Sequence, residues 1–508
     1  MVKIGIMKGN EGMKENTEEV QLSFLPEGWV NIDVAGNRLS LFLRNYPFEE
    51  KFRGIAETFE KQRYEERKRQ GLSRETKRII EDNHFDFYSA DDLVNEFHVR
   101  TRQSEAGRKA FGFFGLLKLF LTCMLKNTVQ VTEVYQELLD NPVLQLECFD
   151  GGRLPSYDVL AAFDRDMNRY GLMAEVRKIS VGTNFSEGIN KFDGRLMIDV
   201  THSEGNGKIG RMSKPCRDCH QIEADTSCER CLGGKPCDTP NLTDETIGIV
   251  HKNKGKVLKS HKYQLGSTAA ELPIGVVALN GSESDGGPSF EEILCRIKSD
   301  CSAWLGDGTS PLSIFADGIY HNAANCEMVK RVFGGHAQLK SKPNPGNRRP
   351  HKLKRNGIEF TIDKRANVSC EKGGKFKFNA REVGKNRYRF IIEDEEICSA
   401  CPLYTSCCPN ADHGKTLRVS KDLLPHFNWD DPEFTTSYEE SYAIRTGIER
   451  VIGRGKDLLG FRRQFKRGLN NVQGFGDRLV AMMNMVAYVA HAIGHPERML
   501  QCRKFAAG

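Results

Sequence analysis

From Arg195 onward the apolar residues fall into an order of elements that fixes what kind of sheet the chain can build. Arg195 to Val200 reads as a short strand ending at Asp199, and further strands are predicted near 246–250, 260–266 and 273–279. A helix across 289–303, a strand from Leu312 to Phe315 and a helix from Asn322 to Val332 follow. In a sheet with parallel strands at its centre, the first and last of these strand ends can lie side by side. Asp199 and Asp317, 118 residues apart in sequence, would then reach one edge.

A third acid has equally specific surroundings. Tyr442, Arg445, Glu449 and Lys456 are spaced by three, four and seven residues. At about 100° per residue they fall in one helical stripe about 60° wide. A lone carboxylate flanked on a helix face by two cations and a phenol is poorly explained as a packing seam, and suits the wall of a site that handles phosphate. Asp199, Asp317 and Glu449 around one point could not all ionise without a cation. Two Mg²⁺ ions about 3.5–4 Å apart would resolve the repulsion, activate a water or a 3′-hydroxyl and stabilise the leaving oxygen. Singly, a strand-end Asp is often a turn former; the case rests on the set.

Net charge is +6 over 508 residues, so the basic residues matter more by location than by total. Lys330 to Asn356 holds nine Lys or Arg and no acid, and a second cluster comprises Arg450, Arg454, Lys456, Arg462, Arg463, Lys466 and Arg467. Such local fields suit a polyanion such as DNA; the plainer alternative is a pair of solvated surfaces. Residues 1–25 lack the apolar core of a signal peptide. Ala110–Leu125 and Leu479–Ile493 are too short and interrupted to span a bilayer and read as buried helices. The expectation is a cytoplasmic chain with no membrane partner.

In a reducing compartment the paired spacing of the sixteen cysteines suggests metal. Cys216, Cys219, Cys228 and Cys231 form two two-residue-gap turns, the ligand spacing of a structural Zn²⁺ site. A possible second Zn²⁺ set is Cys398, Cys401 and Cys407, closed by Cys370 from an upstream hairpin and with Cys408 adjacent. Upstream, 50–82 is helical in composition and 84–185 reads as a helical domain. It includes a helix capped by Ser156 with Tyr157, Leu160, Phe163 and Met167 at helical spacing. A helix-turn-helix-like DNA contact and an ordinary helical bundle fit that pattern equally.

With Tyr442, Arg445, Glu449 and Lys456 as Y-x2-R-x3-E-x6-K, and with Asp199 and Asp317 at strand ends, residues 84–495 resemble the DDE-type insertion-sequence transposases. The segments Ile198–Thr201 and Phe315–Tyr320 and the helical region with Pro155–Ser156 belong to the same resemblance. It implies an α/β fold: an RNase H-like catalytic core with an N-terminal helical domain, a zinc-knuckle insertion and a β-rich insertion before the last catalytic helix. The expected divisions are an N-terminal segment 1–83, a helical DNA-binding or dimerisation domain 84–190, and a first core part 191–334 with a Cys-rich insertion 202–245. A β-rich basic insertion 335–430 and a second core part 431–508 complete it.

The same resemblance implies that Asp199, Asp317 and Glu449 hold two Mg²⁺ (or Mn²⁺), and that Tyr442, Arg445 and Lys456 contact the strand being cut. Arg450, Arg454, Arg462 and Arg463 are further candidate DNA contacts. Tyr388, Phe390 and Trp429 are candidates for stacking a flipped base. The implied function is Mg²⁺-dependent cleavage at terminal inverted repeats and joining of the 3′-hydroxyl to target DNA, by a homodimer, in a prokaryotic, nucleoid-associated setting. Alternatives are a domesticated, non-catalytic zinc-containing DNA-binding protein and an RNase H-like nuclease without strand joining.

Overall fold

The computed structural model describes residues 2–6, 16–20, 38–69, 111–205, 227–229, 244, 246–251, 257–305, 312–339, 351–363, 366–382, 384–409, 414–420, 423 and 435–506. Strands β1 (Val2–Ile6) and β2 (Asn16–Val20) pair as an antiparallel hairpin. Helices α1 (Arg38–Asn45), α2 (Phe48–Arg69), α3 (Phe113–Leu125), α4 (Val131–Asp140), α5 (Pro142–Phe149), α6 (Tyr157–Arg169) and α7 (Leu172–Ser186) follow. The apolar stretch near 110–125 becomes α3, buried on nearly every side, as a helix apolar all round must be. Gly115 lets it approach α5, since a Cβ there would meet the Cys148 carbonyl at 2.3 Å. Asn141 caps α5 by accepting from the Val143 and Leu144 N–H groups, with Pro142 in the first turn. Ser156 stands at the N-cap of α6 but its side chain makes no cap hydrogen bond, and Leu160, Phe163 and Met167 are buried as their spacing predicts.

Strand β3 (Arg195–Gly205) is longer than expected: Asp199 lies within it, not at its end. After it come β4 (Gly248–His251), β5 (Val257–Thr268), β6 (Pro273–Asn280), α8 (Pro288–Cys301), β7 (Ser313–Ala316), α9 (Ala323–Phe333) and β8 (His336–Leu339). Six strands then run from β9 (His351–Arg355) through β10 (Ile358–Ile362), β11 (Val368–Cys370), β12 (Lys375–Glu382) and β13 (Arg387–Ile392) to β14 (Thr416–Ser420). Short helices α10 (Glu395–Ser399) and α11 (Tyr404–Cys407) interrupt the last connection. The chain closes with α12 (Thr436–Ala443), α13 (Thr446–Leu458), β15 (Arg463–Gln464), α14 (Leu469–Ala492) and α15 (Arg503–Ala506).

Two compact units result. The first comprises Met1–Lys191, Val200–Glu283 and Arg450–Gly508. Here β5 pairs antiparallel with β4 and β6, and β15 joins the end of β3 in parallel at Glu204 and Gly205. Helix α14 is buried along most of its length. Its Asn484 amide donates to the Pro273 and Val480 carbonyls and receives the amide of Asn184, so this buried Asn is satisfied internally. Among the described residues no helix is long and apolar enough to cross a membrane.

The second unit comprises Phe192–Asp199 and Ser284–Glu449. The early half of β3 pairs in parallel with β7, and β7 with β8; helices α8 and α9 supply the connections that parallel strands require. The six-stranded sheet is an antiparallel meander in the order β14-β13-β12-β11-β10-β9. Strict alternation in β10 and β13 buries Ile358, Phe360, Ile362, Tyr388, Phe390 and Ile392 on one face. Tyr388 and Phe390 are therefore core residues at 0% and 1% exposure, which removes them as candidates for stacking a base; Trp429 lies outside the described residues.

Candidate active site

The second unit brings five of the candidate residues into one neighbourhood. Strands β3 and β7 run in parallel with Ile198 opposite Ala316. The next residue along the chain from each is an acid, so Asp199 and Asp317 come at the same level of neighbouring strands, whose spacing is about 4.8 Å. Pairing with β7 stops at this point because the chain turns away: Asp317 caps the one-turn 3₁₀ helix Gly318–Tyr320, its Oδ1 accepting the Gly318 N–H at 2.5 Å. Asp317 thus is a turn former, as a strand-end Asp often is, and remains exposed. Behind this turn lies fully buried Asn325, which sequence reasoning missed. Its Nδ2 donates to the Tyr320 carbonyl at 2.7 Å and its Oδ1 accepts the Gly287 N–H at 3.2 Å. That clamps the Asp317 turn to the start of α8. An Asn inside an amphipathic helix gives no sequence signal of this.

The stripe from Tyr442 to Lys456 does not lie on one continuous helix. Tyr442 is on α12, Arg445 in the link, and Glu449 and Lys456 on α13. Across the link the N–H groups of Ile444, Arg445, Gly447 and Ile448 reach back three residues, and Thr446 Oγ1 donates to the Ala443 carbonyl at 2.9 Å. Those tighter turns and the side-chain back-bond replace ordinary helical pairing. Even so, the first three residues converge. The Tyr442 hydroxyl donates to the Ala316 carbonyl at 3.1 Å, one residue before Asp317, and its ring stacks on Tyr438. The Arg445 guanidinium lies 5.8 Å from the centre of the Tyr442 ring, 3.6 Å from Asp199 and 2.5 Å from Glu449.

Arg445 is therefore the charge that lets Asp199 and Glu449 share a locality. Burial works against its cationic form, but Tyr442, Glu449 and Asp199 more than offset this and hold its pKa above the usual value. As placed, no three Asp, Glu, His or Cys side chains among the described residues are gathered as a metal-holding set. The donors themselves are all carboxylate oxygens, which suit a hard divalent cation. Lys456 stands two turns beyond Glu449 on α13 and belongs to the first unit.

The other basic candidates are engaged by acids of the chain. Arg450 and Arg454 both bind Glu271, at 2.7 and 3.1 Å, and Arg454 also donates to the Glu271 carbonyl. Their hydrogen bonds outweigh burial and lower the Glu271 pKa. Arg462 pairs with Asp457 at 2.5 Å, Arg463 with Glu204 at 3.6 Å, and Lys466 with buried Asp164. On the helical domain Arg169 is paired with Glu66 and Arg165 with Asp166. Of the first cysteine set, Cys228 is buried; Cys216, Cys219 and Cys231 lie outside the described residues.

Residues 369–489 match the family described as "Transposase DDE domain". This stretch contains Tyr442, Arg445, Glu449 and Lys456, and the match supports the resemblance to DDE-type transposases. No characterised protein matches the chain in sequence. A solved structure with some likeness is a piggyBac transposase synaptic complex with hairpin DNA, at 10% identity and a TM-score of 0.38, covering 81% of this chain and 74% of that one.

Proposed function

We propose that this DDE-type transposase, recognised as one through residues 369–489, cuts DNA at the terminal inverted repeats of its element and joins the freed ends to target DNA. The observation that carries the reading is that Asp199 and Asp317 follow the paired residues Ile198 and Ala316 of β3 and β7, with Arg445 tying Glu449 to Asp199. The parallel run β3-β7-β8 with its connecting helices supports an RNase H-like core. In the first reaction a water oxygen attacks phosphorus and the bond to the 3′ oxygen breaks, leaving a 3′-hydroxyl and a 5′-phosphate. In the second, that 3′-hydroxyl oxygen bonds to a target phosphorus, the target's own 3′ oxygen leaves, and the nucleophile's proton passes to solvent.

Asp199, Asp317 and Glu449 would hold Mg²⁺ or Mn²⁺, which neutralises developing charge and makes water or a hydroxyl a better nucleophile. The chain's own contribution is positioning. Tyr442 pins α12 to the end of β7, and Asn325 holds the turn that aims Asp317. Arg445 presents a planar fork that suits a carboxylate or a DNA phosphate oxygen. Lys456 supplies a point charge for the DNA backbone farther along α13. Two ends are processed together by a dimer.

The test is cleavage of a labelled inverted-repeat end with Mg²⁺. Asp199→Asn, Asp317→Asn and Glu449→Gln should each abolish cleavage while end binding persists in a mobility-shift assay. Full cleavage by any one of them contradicts the triad. Cleavage by the unaltered protein without strand joining would identify a nuclease instead.

A further inference from the structure

A different cluster of reactive side chains lies in the six-stranded sheet. Cys370 ends β11, Cys398 sits on α10, Cys401 follows it by a turn, and Cys407 and Cys408 close α11. Elements separated by 28 residues of sequence between Cys370 and Cys398 thus deliver thiols to one place. Cys370, Cys398, Cys401 and Cys407 line a single cavity of about 30 Å³, room for one water-sized or ion-sized occupant. Cys408, next to Cys407 in the chain, is buried beside this cluster. No disulfide joins any of them.

The backbone around the thiols is arranged for sulfur. The Gly374 N–H donates to Cys370 Sγ at 3.3 Å, across a turn in which Gly373 has φ +85°. A Cβ at Gly374 would stand 3.1 Å from that sulfur, so the close approach depends on glycine. The Cys401 N–H donates to the Cys398 carbonyl at 3.1 Å, the tight turn that lets two thiols face one point. Lys372 and Lys415 border the same cavity, and Lys415 Nζ donates to the Cys407 carbonyl at 2.5 Å. Two ammonium groups offset the negative charge that a thiolate set carries. Cysteines kept only as small apolar residues need neither the N–H on sulfur nor the lysines.

We propose that Cys370, Cys398, Cys401 and Cys407 form a tetrathiolate site for one Zn²⁺, with Cys408 packing beside it. The four thiols lose four protons to solvent as the four Zn–S bonds form. The sulfurs are not gathered to ligand spacing as they stand, and a change of χ1 well re-aims a cysteine sulfur without moving its backbone. The site's role is mechanical. Helices α10 and α11 are five and four residues long, too short to persist alone, and the metal ties them to the β11–β12 hairpin.

The test uses the whole purified protein and reads each cysteine separately. Thiol alkylation followed by peptide mass spectrometry, with and without a strong zinc chelator, should find Cys370, Cys398, Cys401 and Cys407 protected until the chelator is added. Half-exposed Cys398 and Cys401 reacting equally fast in both samples would overturn the site, as would protection lifted by dithiothreitol instead of chelator. Metal analysis adds a second reading: C398S/C401S should contain about one Zn²⁺ per chain fewer than the parent, and C408S the same number as the parent. Unchanged zinc in C398S/C401S would equally overturn it. Neither reading depends on DNA cleavage.

Discussion

Removing the Arg445 guanidinium tests the site's electrostatics without any DNA. At 3.6 Å from Asp199, Coulomb attraction is about 1 kcal/mol in water and about 4–5 kcal/mol at an effective dielectric constant of about 20. Both side chains are 17% exposed, so the pair lies between those limits, and desolvation of the two ions cancels part of it. A net of about 1–1.5 kcal/mol remains. Glu449 is 53% exposed and contributes about 0.3–0.5 kcal/mol as an i, i+4 pair. The contact over the Tyr442 ring adds about 0.5 kcal/mol. Arg445→Ala should therefore cost about 2 kcal/mol in urea denaturation, and less at high salt. Arg445→Lys should fall between, since an ammonium cannot fork to two carboxylates. A double-mutant cycle with Asp199→Asn should give a coupling of about 1 kcal/mol. A coupling below about 0.3 kcal/mol would refute the claim that Arg445 holds the acids together.

Other consequences are quick to check. Tyr442→Phe should cost about 1 kcal/mol in stability through the lost bond to Ala316 and slow strand cleavage, with end binding unchanged in a mobility-shift assay. Asn325→Ala strands a carbonyl and an amide N–H and should cost about 2–3 kcal/mol by denaturant titration. Lys456→Ala should lower the salt slope of DNA binding; an unchanged slope would contradict a role for Lys456 at the DNA backbone. Hydrogen bonds from Arg387 and Arg418 pull Glu382 from 4.5 down to about 2. Its folded pKa is depressed, so its contribution is complete above about pH 4.5 and is lost as pH falls toward about 2. Glu382→Gln should remove that part of the acid dependence of stability.

The parallel neighbours β3 and β7 were readable because strand-helix-strand order leaves few ways to arrange a sheet, and Ile198 and Ala316, each just before an acid, pair in it. The extension of β3 past Asp199 was not readable, since its end pairs with β15, far off in sequence. Nor was the helix break at Arg445: spacing registers periodicity, whereas Thr446 back-bonding to Ala443 is a local hydrogen-bond choice. Nor were the acids that pair with the basic clusters readable. Charge runs show cations in sequence, while Glu271, 179 residues before Arg450, is invisible as their partner until the chain folds.

Iron-directed backbone scission tests the central claim, that Asp199, Asp317 and Glu449 serve one cation site, most directly. Fe²⁺ in place of Mg²⁺ generates hydroxyl radicals that cut polypeptide only near the bound ion. The account predicts three cuts, beside residues 199, 317 and 449, all suppressed by excess Mg²⁺ and all lost in Asp199→Asn. Cuts at only one of these positions, or cuts that Mg²⁺ does not suppress, would contradict it.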